Sequence, residues 1–299
     1  MSKGYLLAAA AALISGVSIF LNKYAVTAIV QPLVFTAVKN SLVALLILAL
    51  IFASGKWRGV KQLSRRQLLL LLAIGIIGGS LPFYLFFTGL SLIPAVTGAI
   101  IQKTLVVWVA LLAFPWLKEK LSPAHWALVV LLFAANIAVG GFPGFKLSIG
   151  ELFVLLATLL WAVETILAKL VLPRVDPDLV TAARMVLGSA ILLTVSAVAQ
   201  PAALLHVSAL TLTQWSWIIL TAVTLLLYVT TWYRALKFAP ATAVTAILVA
   251  STLVTNVLSA VFVTHSLSRP LAVQSLAIAA VVVAFSLLPL ARPRSTVSG

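Results

Sequence analysis

Displacing the chain by 146 residues against itself brings its landmarks into register. Gly4 falls on Gly150, Lys23 on Lys169, Pro94 on Pro240, and Leu121-Ser122 on Leu267-Ser268. Self-similarity at a fixed period means two copies of one unit, here 1–145 and 146–299. Each copy contains five long apolar stretches. Five is odd, so if every stretch crosses a bilayer the second copy must start on the opposite side from the first. Inverted duplication of this kind is an arrangement that secondary transporters use.

Only 8% of residues are charged and 63% are hydrophobic, against about 25% and 45–50% in soluble domains. Lipid is therefore the solvent. The pattern predicts helices over 4–27, 31–54, 67–91, 94–114, 123–140, 148–171, 178–199, 214–236, 241–263 and 271–291, each near the ~20 residues that a bilayer core requires. The expected fold is an all-α membrane protein with ten transmembrane helices in an inverted five-plus-five repeat. The first stretch has the charged start and alanine-rich middle of a secretory signal, but its copy at 150–171 makes it the first helix. The absence of cysteine excludes a disulfide framework and a thiolate metal site.

A net charge of +15 raises the question of nucleic acid, and the placement of the cations answers it. With the N-terminus inside, one side collects Lys3, Lys56, Arg58, Lys61, Arg65, Arg66, Lys118, Lys120, Lys169, Arg174, Arg234, Lys237, Arg292 and Arg294; the other collects Lys23, Lys146 and Arg269. Fourteen against three is the asymmetry of the positive-inside rule, so both termini are expected in the cytoplasm. The basic loops are topology signals, and no nucleic-acid partner is expected. Trp57, Trp116, Trp126, Trp215, Trp217 and Trp232 fall near span ends and read as aromatic belts. Trp108 and Trp161 fall deeper. Gly75, Gly78 and Gly79 read as a close helix contact, with a hinge as the other reading.

The residues that lipid should exclude carry the functional signal. Lys39, Lys103, Glu164 and Arg184 lie well inside predicted spans, where a charge costs at least about 2.5–3.5 kcal/mol on insertion scales and so must face protein or water. At ~1.5 Å per residue, Glu164 lies ~24 Å from the outer surface and Arg184 ~9 Å from the inner one, on a shared level of a ~30 Å core. They can pair with each other; alternatively Glu164 is a proton site or receives a substrate amine. Lys39 and Lys103, at ~12 and ~14 Å, lie nearer the middle with no acid on their level, which suggests a water-filled cavity for an anionic group.

Helical periodicity supplies the surroundings. Thr245, Thr252, Asn256 and Ser259 recur on one face of the ninth span, and the same face of the fourth contains Lys103. Ser15, Ser18 and Asn22 share a face of the first span; Trp161 and Glu164 stand at the matching positions of the sixth. The candidate substrate-binding residues are therefore Lys103, Glu164, Trp161, Lys39, Asn22, Ser18, Thr252 and Asn256. For any single hydroxyl or amide, a tie between helices is the competing reading. The histidines, His125, His206 and His265, show no metal-ligand spacing, and no nucleophile with its base and no phosphate-binding loop is present. No enzyme activity, metal or cofactor is expected.

The run from Tyr84 to Pro94-Ala95 into the fourth helix and Leu117-Lys118-Glu119-Lys120-Leu121-Ser122 recur as Tyr228 to Pro240-Ala241 and Ser266-Leu267-Ser268. Together with Leu160-Trp161 followed by Lys169, and with Lys39 and Arg184 in the second helix of each half, they resemble the drug/metabolite transporter superfamily in its EamA-type branch. That resemblance covers essentially the whole chain. It implies ten helices, a cavity lined by helices 1, 3, 4, 6, 8 and 9, and alternating access driven by secondary transport. The chain departs from the pattern at Ser15, where relatives often have tryptophan. It also departs at His265, the counterpart of Glu119, and near Thr104 and Ala250, where a mid-helix proline is missing.

The expectation is a secondary transporter of small metabolites, an exporter of amino acids or related compounds. Drugs, sugars or nucleotide sugars are the alternative cargo, and a channel or a polytopic membrane enzyme the weaker alternative classes. Its partners would be a small-molecule substrate and the lipid bilayer of a prokaryotic cytoplasmic (inner) membrane. One chain holds both halves, so a monomer is sufficient.

Overall fold

In the computed structural model the described residues are 3–28, 31–119, 121–137, 144–266 and 269–288, and none of them forms a strand. The first half contains α1 (Lys3–Ala28), α2 (Pro32–Ala53), α3 (Arg65–Gly79), α4 (Leu81–Leu90), α5 (Ala95–Lys103), α6 (Leu105–Leu117) and α7 (Pro123–Ile137). The second contains α8 (Ile149–Val171), α9 (Pro177–Ala199), α10 (Pro201–Leu205), α11 (Leu212–Phe238), α12 (Ala241–Leu248), α13 (Ser251–Ser259) and α14 (Arg269–Leu287). Among the described residues, eight stretches are long and apolar enough to cross a membrane, with α3 and α4, α5 and α6, and α12 and α13 each forming one stretch. The predicted fifth and tenth spans appear as the shorter apolar helices α7 and α14. The expected extensions to 140 and 291 lie outside the described residues, as do Lys120, Leu267, Ser268, Arg292 and Arg294.

The helix starts follow from local chemistry. Ser64 with Gln67, Ser148 with Glu151 and Thr211 with Gln214 form capping boxes that satisfy two otherwise orphaned backbone donors each. Pro32 and Pro177 open α2 and α9, where a missing N–H costs nothing.

The two halves pack on each other through equivalent contacts. A Cβ on Gly4 would lie 2.6 Å from the carbonyl carbon of Phe238 and 2.7 Å from Ala239, and a Cβ on Gly150 would lie 2.7 Å from Ile93 and 2.8 Å from Leu92. Each partner is 146 residues from its equivalent. Thus the start of α1 meets the end of α11, and the start of α8 meets the end of the α3–α4 pair. The main core lies between α2, α3, α8, α9 and α11, around Val43, Ile74, Ile166 and Leu236, all within 1% of full burial. A second core joins α7 and α14 through Leu132, Ile278 and Phe285.

Trp232 departs from its assignment to an aromatic belt: it is 3% exposed in the main core beside Tyr228. Closeness to a helix end does not set the face, and this face of α11, shared with Val229, Tyr233 and Leu236, is packed inward. Trp57 and Trp116 do remain exposed.

Candidate functional site

Two helices are interrupted in mid-span at positions 146 residues apart. At Thr104, between α5 and α6, Thr104 N–H donates to Ile101 O (3.0 Å) and Val107 N–H to Thr104 O (2.9 Å). At Val249 and Ala250, between α12 and α13, N–H groups donate to Ala246 O and Ile247 O, and Leu253 N–H donates to Ala250 O. These are three-residue steps, the tighter 3₁₀ winding. No proline is involved. The Thr104 hydroxyl closes the first break, donating to Ile101 O at 2.6 Å and accepting from Trp108 Nε1 at 2.9 Å.

Lys103 is the last residue of α5, at the negative end of a half-helix, where a cation is favoured. It is half-buried and has no hydrogen-bond or acidic partner among the described residues. Lys39, by contrast, is satisfied without an acid. Its ammonium donates to Asn22 Oδ1 at 2.9 Å and lies 4.9 Å from the centre of the Phe35 ring. Asn22 in turn donates to Ser18 O (2.7 Å) and Ser18 Oγ (3.2 Å), and Thr224 of α11 reaches Ser18 Oγ at 3.5 Å. A neutral amide from α1 thus takes up the Lys39 ammonium, which leaves Lys103 as the one of the two without a partner among the described residues. The neighbouring Asn40 was not anticipated. It is 1% exposed and neither amide atom has a protein partner among the described residues. The run Lys39-Asn40-Ser41 inside an apolar span was its sequence signal.

Glu164 and Arg184, placed on one level by counting rises, do meet. Arg184 Nη1 lies 3.6 Å from Glu164 Oε2, and the residues are 9% and 2% exposed respectively. Tyr233 completes the group, donating to Glu164 Oε1 at 2.5 Å and lying 3.5 Å from Arg184 Nη1. Three helices, α8, α9 and α11, thus converge on one buried carboxylate. Tyr233 was missed, although a tyrosine inside a span carries a hydroxyl that must find a partner.

Helix α3 makes room for this group. A Cβ on Gly78 would lie 2.3 Å from Glu164 Cγ, so the glycine is a notch for the glutamate. Pro82 cannot donate to the carbonyl four residues before it, which is that of Gly78, and Trp161 Nε1 occupies that acceptor at 3.3 Å. Phe83 and Phe86 enclose the same indole at 5.4 Å each. Trp161 therefore repairs the proline break and positions α8, with Glu164 one turn further on.

The predicted polar stripe of the ninth span divides at its break. Thr245 bonds carbonyls of its own helix. Asn256 donates to Gln274 Oε1 (3.3 Å) and Ser275 Oγ (3.4 Å), tying α13 to α14. Thr252 is half-buried. The contact with α1 is made instead by Thr255, which donates to Gly16 O at 3.0 Å. A stripe drawn at a uniform 100° per residue loses its register where winding tightens to 3₁₀.

One end of the bundle is tied both across and within the repeats. Glu119 accepts from Ala241 N–H (2.7 Å), Thr242 N–H (3.1 Å) and Thr242 Oγ1 (2.8 Å), capping α12 with a carboxylate. Lys169 donates to Leu236 O and Ala239 O at the end of α11. Lys56 meets Asp178 at 2.5 Å and Asp176 at 3.2 Å, and Arg234 meets Asp178 at 2.8 Å. The hydrogen bond that Lys56 donates to the Asp178 carboxylate holds its pKa above the usual lysine value. At the opposite end His265 stands where Glu119 has its equivalent, exposed and with φ of 49°.

Comparison with curated proteins gives no match. A solved crystal structure superposes over 96% of this chain and 99% of its own length with a TM-score of 0.80 at 18% identity, a likeness of fold alone. The EamA-like transporter family matches twice, over residues 2–140 and 148–288, with starting points 146 residues apart. Both halves carry the family's pattern on an all-helical fold with several membrane-spanning stretches: the chain belongs to the EamA-like transporter family.

Proposed function

We propose that this protein is a secondary active transporter working by alternating access around a midplane site, with amino acids or related carboxylate-bearing compounds as cargo and export as its direction. The observation that carries this reading is the pair of mid-span helix breaks, at Thr104 and at Val249-Ala250, with Lys103, unpartnered among the described residues, at the first. Discontinuous helices at equivalent places in two repeats are where transporters expose backbone and bind substrate. A carboxylate supplies the partner that Lys103 lacks. The amine at the other end has Glu164, Asn22, Ser18 and Thr252 as candidate acceptors, with Lys39, Trp161 and Asn256 holding the surrounding helices.

Inversion accounts for the packing of the repeats. Three spans separate Gly4 from the end of α4, so a second repeat that starts beside that end starts on the opposite face. In this reading α7 and α14 complete ten spans. The end tied by Glu119, Lys169 and Asp178 is the cytoplasmic gate in its closed state. Both repeats are in one chain, so a monomer transports. Drugs, sugars or nucleotide sugars are the alternative cargo.

Lys103→Met keeps length and apolar bulk and removes the charge. In proteoliposomes loaded with labelled amino acids, we expect it to weaken apparent affinity for carboxylate substrates at least about tenfold, the scale of one charged hydrogen bond. Unchanged affinity would remove Lys103 from the substrate site. Everted and right-side-out vesicles distinguish export from import in the same assay. Topology is tested separately: reporters at both termini and in the 55–66 segment should read cytoplasmic, and an external signal from any of them would reverse the orientation.

A further inference from the structure

The segment between α2 and α3 is a built surface rather than a loose connection. Gly55, at φ of 70°, turns the chain out of α2, a conformation that costs other residues more. A 3₁₀ helix follows over Lys56–Gln62. With three residues per turn, side chains three apart line up, so Trp57 and Val60 form one row and Arg58 and Lys61 the next. The apolar row is open, with Trp57 37% and Val60 46% exposed. Arg58 and Lys61 flank the indole, each 5.7 Å from its centre. Arg65 and Arg66 extend the basic row into the first turn of α3, the positive end of that helix, where local electrostatics disfavours cations.

All four of these cations are exposed, and none has an acidic partner among the described residues. Lys56 differs: its bonds to Asp176 and Asp178 seat the segment on the start of α9, where Gly59 lies against Leu179. The platform is fixed to the protein on one side and presents indole, valine and four cations without an acidic partner among the described residues.

We infer that residues 57–66 bind the headgroups of anionic phospholipids in the leaflet they face, with Trp57 at headgroup level and Arg58, Lys61, Arg65 and Arg66 on the phosphates. Charge complementarity identifies the occupant. Four cations at the foot of a transmembrane helix match a negatively charged leaflet, to which each contributes attraction within a Debye length, and an exposed indole prefers the interface. The surface lies apart from Lys103 and Glu164, so its occupancy is independent of the transport reading.

The test uses the full chain in neutral detergent, titrated with phosphatidylglycerol or phosphatidylcholine spin-labelled near the headgroup. Quenching of tryptophan emission is read, and Trp57→Phe identifies the part due to Trp57. Half-quenching of that part should need at least about tenfold less phosphatidylglycerol than phosphatidylcholine, and the difference should shrink at high salt. Combined Arg58→Gln, Lys61→Gln, Arg65→Gln and Arg66→Gln should abolish the preference. Combined Arg58→Lys, Arg65→Lys and Arg66→Lys should keep it, because a headgroup phosphate accepts a point charge. Equal quenching by the two lipids in the unmodified protein, or an intact preference in the four-glutamine variant, overturns the inference. So does displacement by millimolar inorganic phosphate, which would make this a site for a soluble anion.

Discussion

Glu164→Gln alone is expected to cost about 3–5 kcal/mol of stability, and adding Arg184→Met to recover most of it. Glutamine keeps the size of the side chain and can still accept from Tyr233, so the hydrogen bond at 2.5 Å survives in kind. What changes is the Arg184 guanidinium, 3.6 Å away and left without a counter-charge in a site 9% exposed. An uncompensated buried charge is the costly outcome of breaking such a pair, whereas removing both charges can be nearly neutral. Tyr233→Phe should cost less, about 1.5–3 kcal/mol, as one hydrogen bond to a charged group. Denaturant unfolding of the two single variants and the double variant in detergent gives the coupling directly. Additive losses would show that the pair contributes no joint stability. A Glu164→Gln protein that is as stable as the parent but no longer transports would make the carboxylate a proton or amine site. If that stable variant transports normally, Glu164 has no part in the mechanism.

The parts of this fold legible in sequence are those that depend on one helix at a time. Apolar length located the spans, and rise per residue placed Glu164 level with Arg184, which then met at 3.6 Å. The hidden parts depend on which helix stands next to which, or on a change of winding. Lys39 stands out as a charge inside a span and Asn22 through helical periodicity, yet neither signal shows that one satisfies the other. The breaks at Thr104 and Val249-Ala250 carry no proline or glycine, and they show only as a shift to three-residue hydrogen bonds. Beyond the second break the projected stripe fails, so Asn256 turns to α14 and Thr255, which was not considered, meets α1. Trp161 illustrates the same limit: its role follows from Pro82, 79 residues earlier, through a carbonyl freed on another helix.

Gly188→Val is expected to prevent stable assembly of the bundle, and Gly188→Ala to destabilise it by about 1–3 kcal/mol or more, the range for forcing extra volume into a packed interior. A Cβ on Gly188 would lie 2.5 Å from the carbonyl carbon and oxygen of Gly79, and one on Gly79 would lie 2.2 Å from Arg184 O and 2.9 Å from Gly188 Cα. The atoms in the way are backbone, which cannot rotate aside as a side chain does. Helices α3 and α9 must therefore separate, and in lipid no hydrophobic force draws them together again, since close van der Waals contact is itself the adhesive. The separation also reaches the polar group. Gly78, next to Gly79, is the notch that holds Glu164, and Arg184 supplies the oxygen against which Gly79 packs. Transport should accordingly fall in Gly188→Ala even at temperatures where the protein remains folded. Gly59→Ala is the control, because its Cβ would meet nothing closer than Leu179 at 3.5 Å, and it should leave the thermal midpoint within the small range of surface changes. Size-exclusion profiles and thermal midpoints of the three variants decide the matter: a monodisperse Gly188→Val protein melting with the parent would mean that α3 and α9 do not cross backbone to backbone.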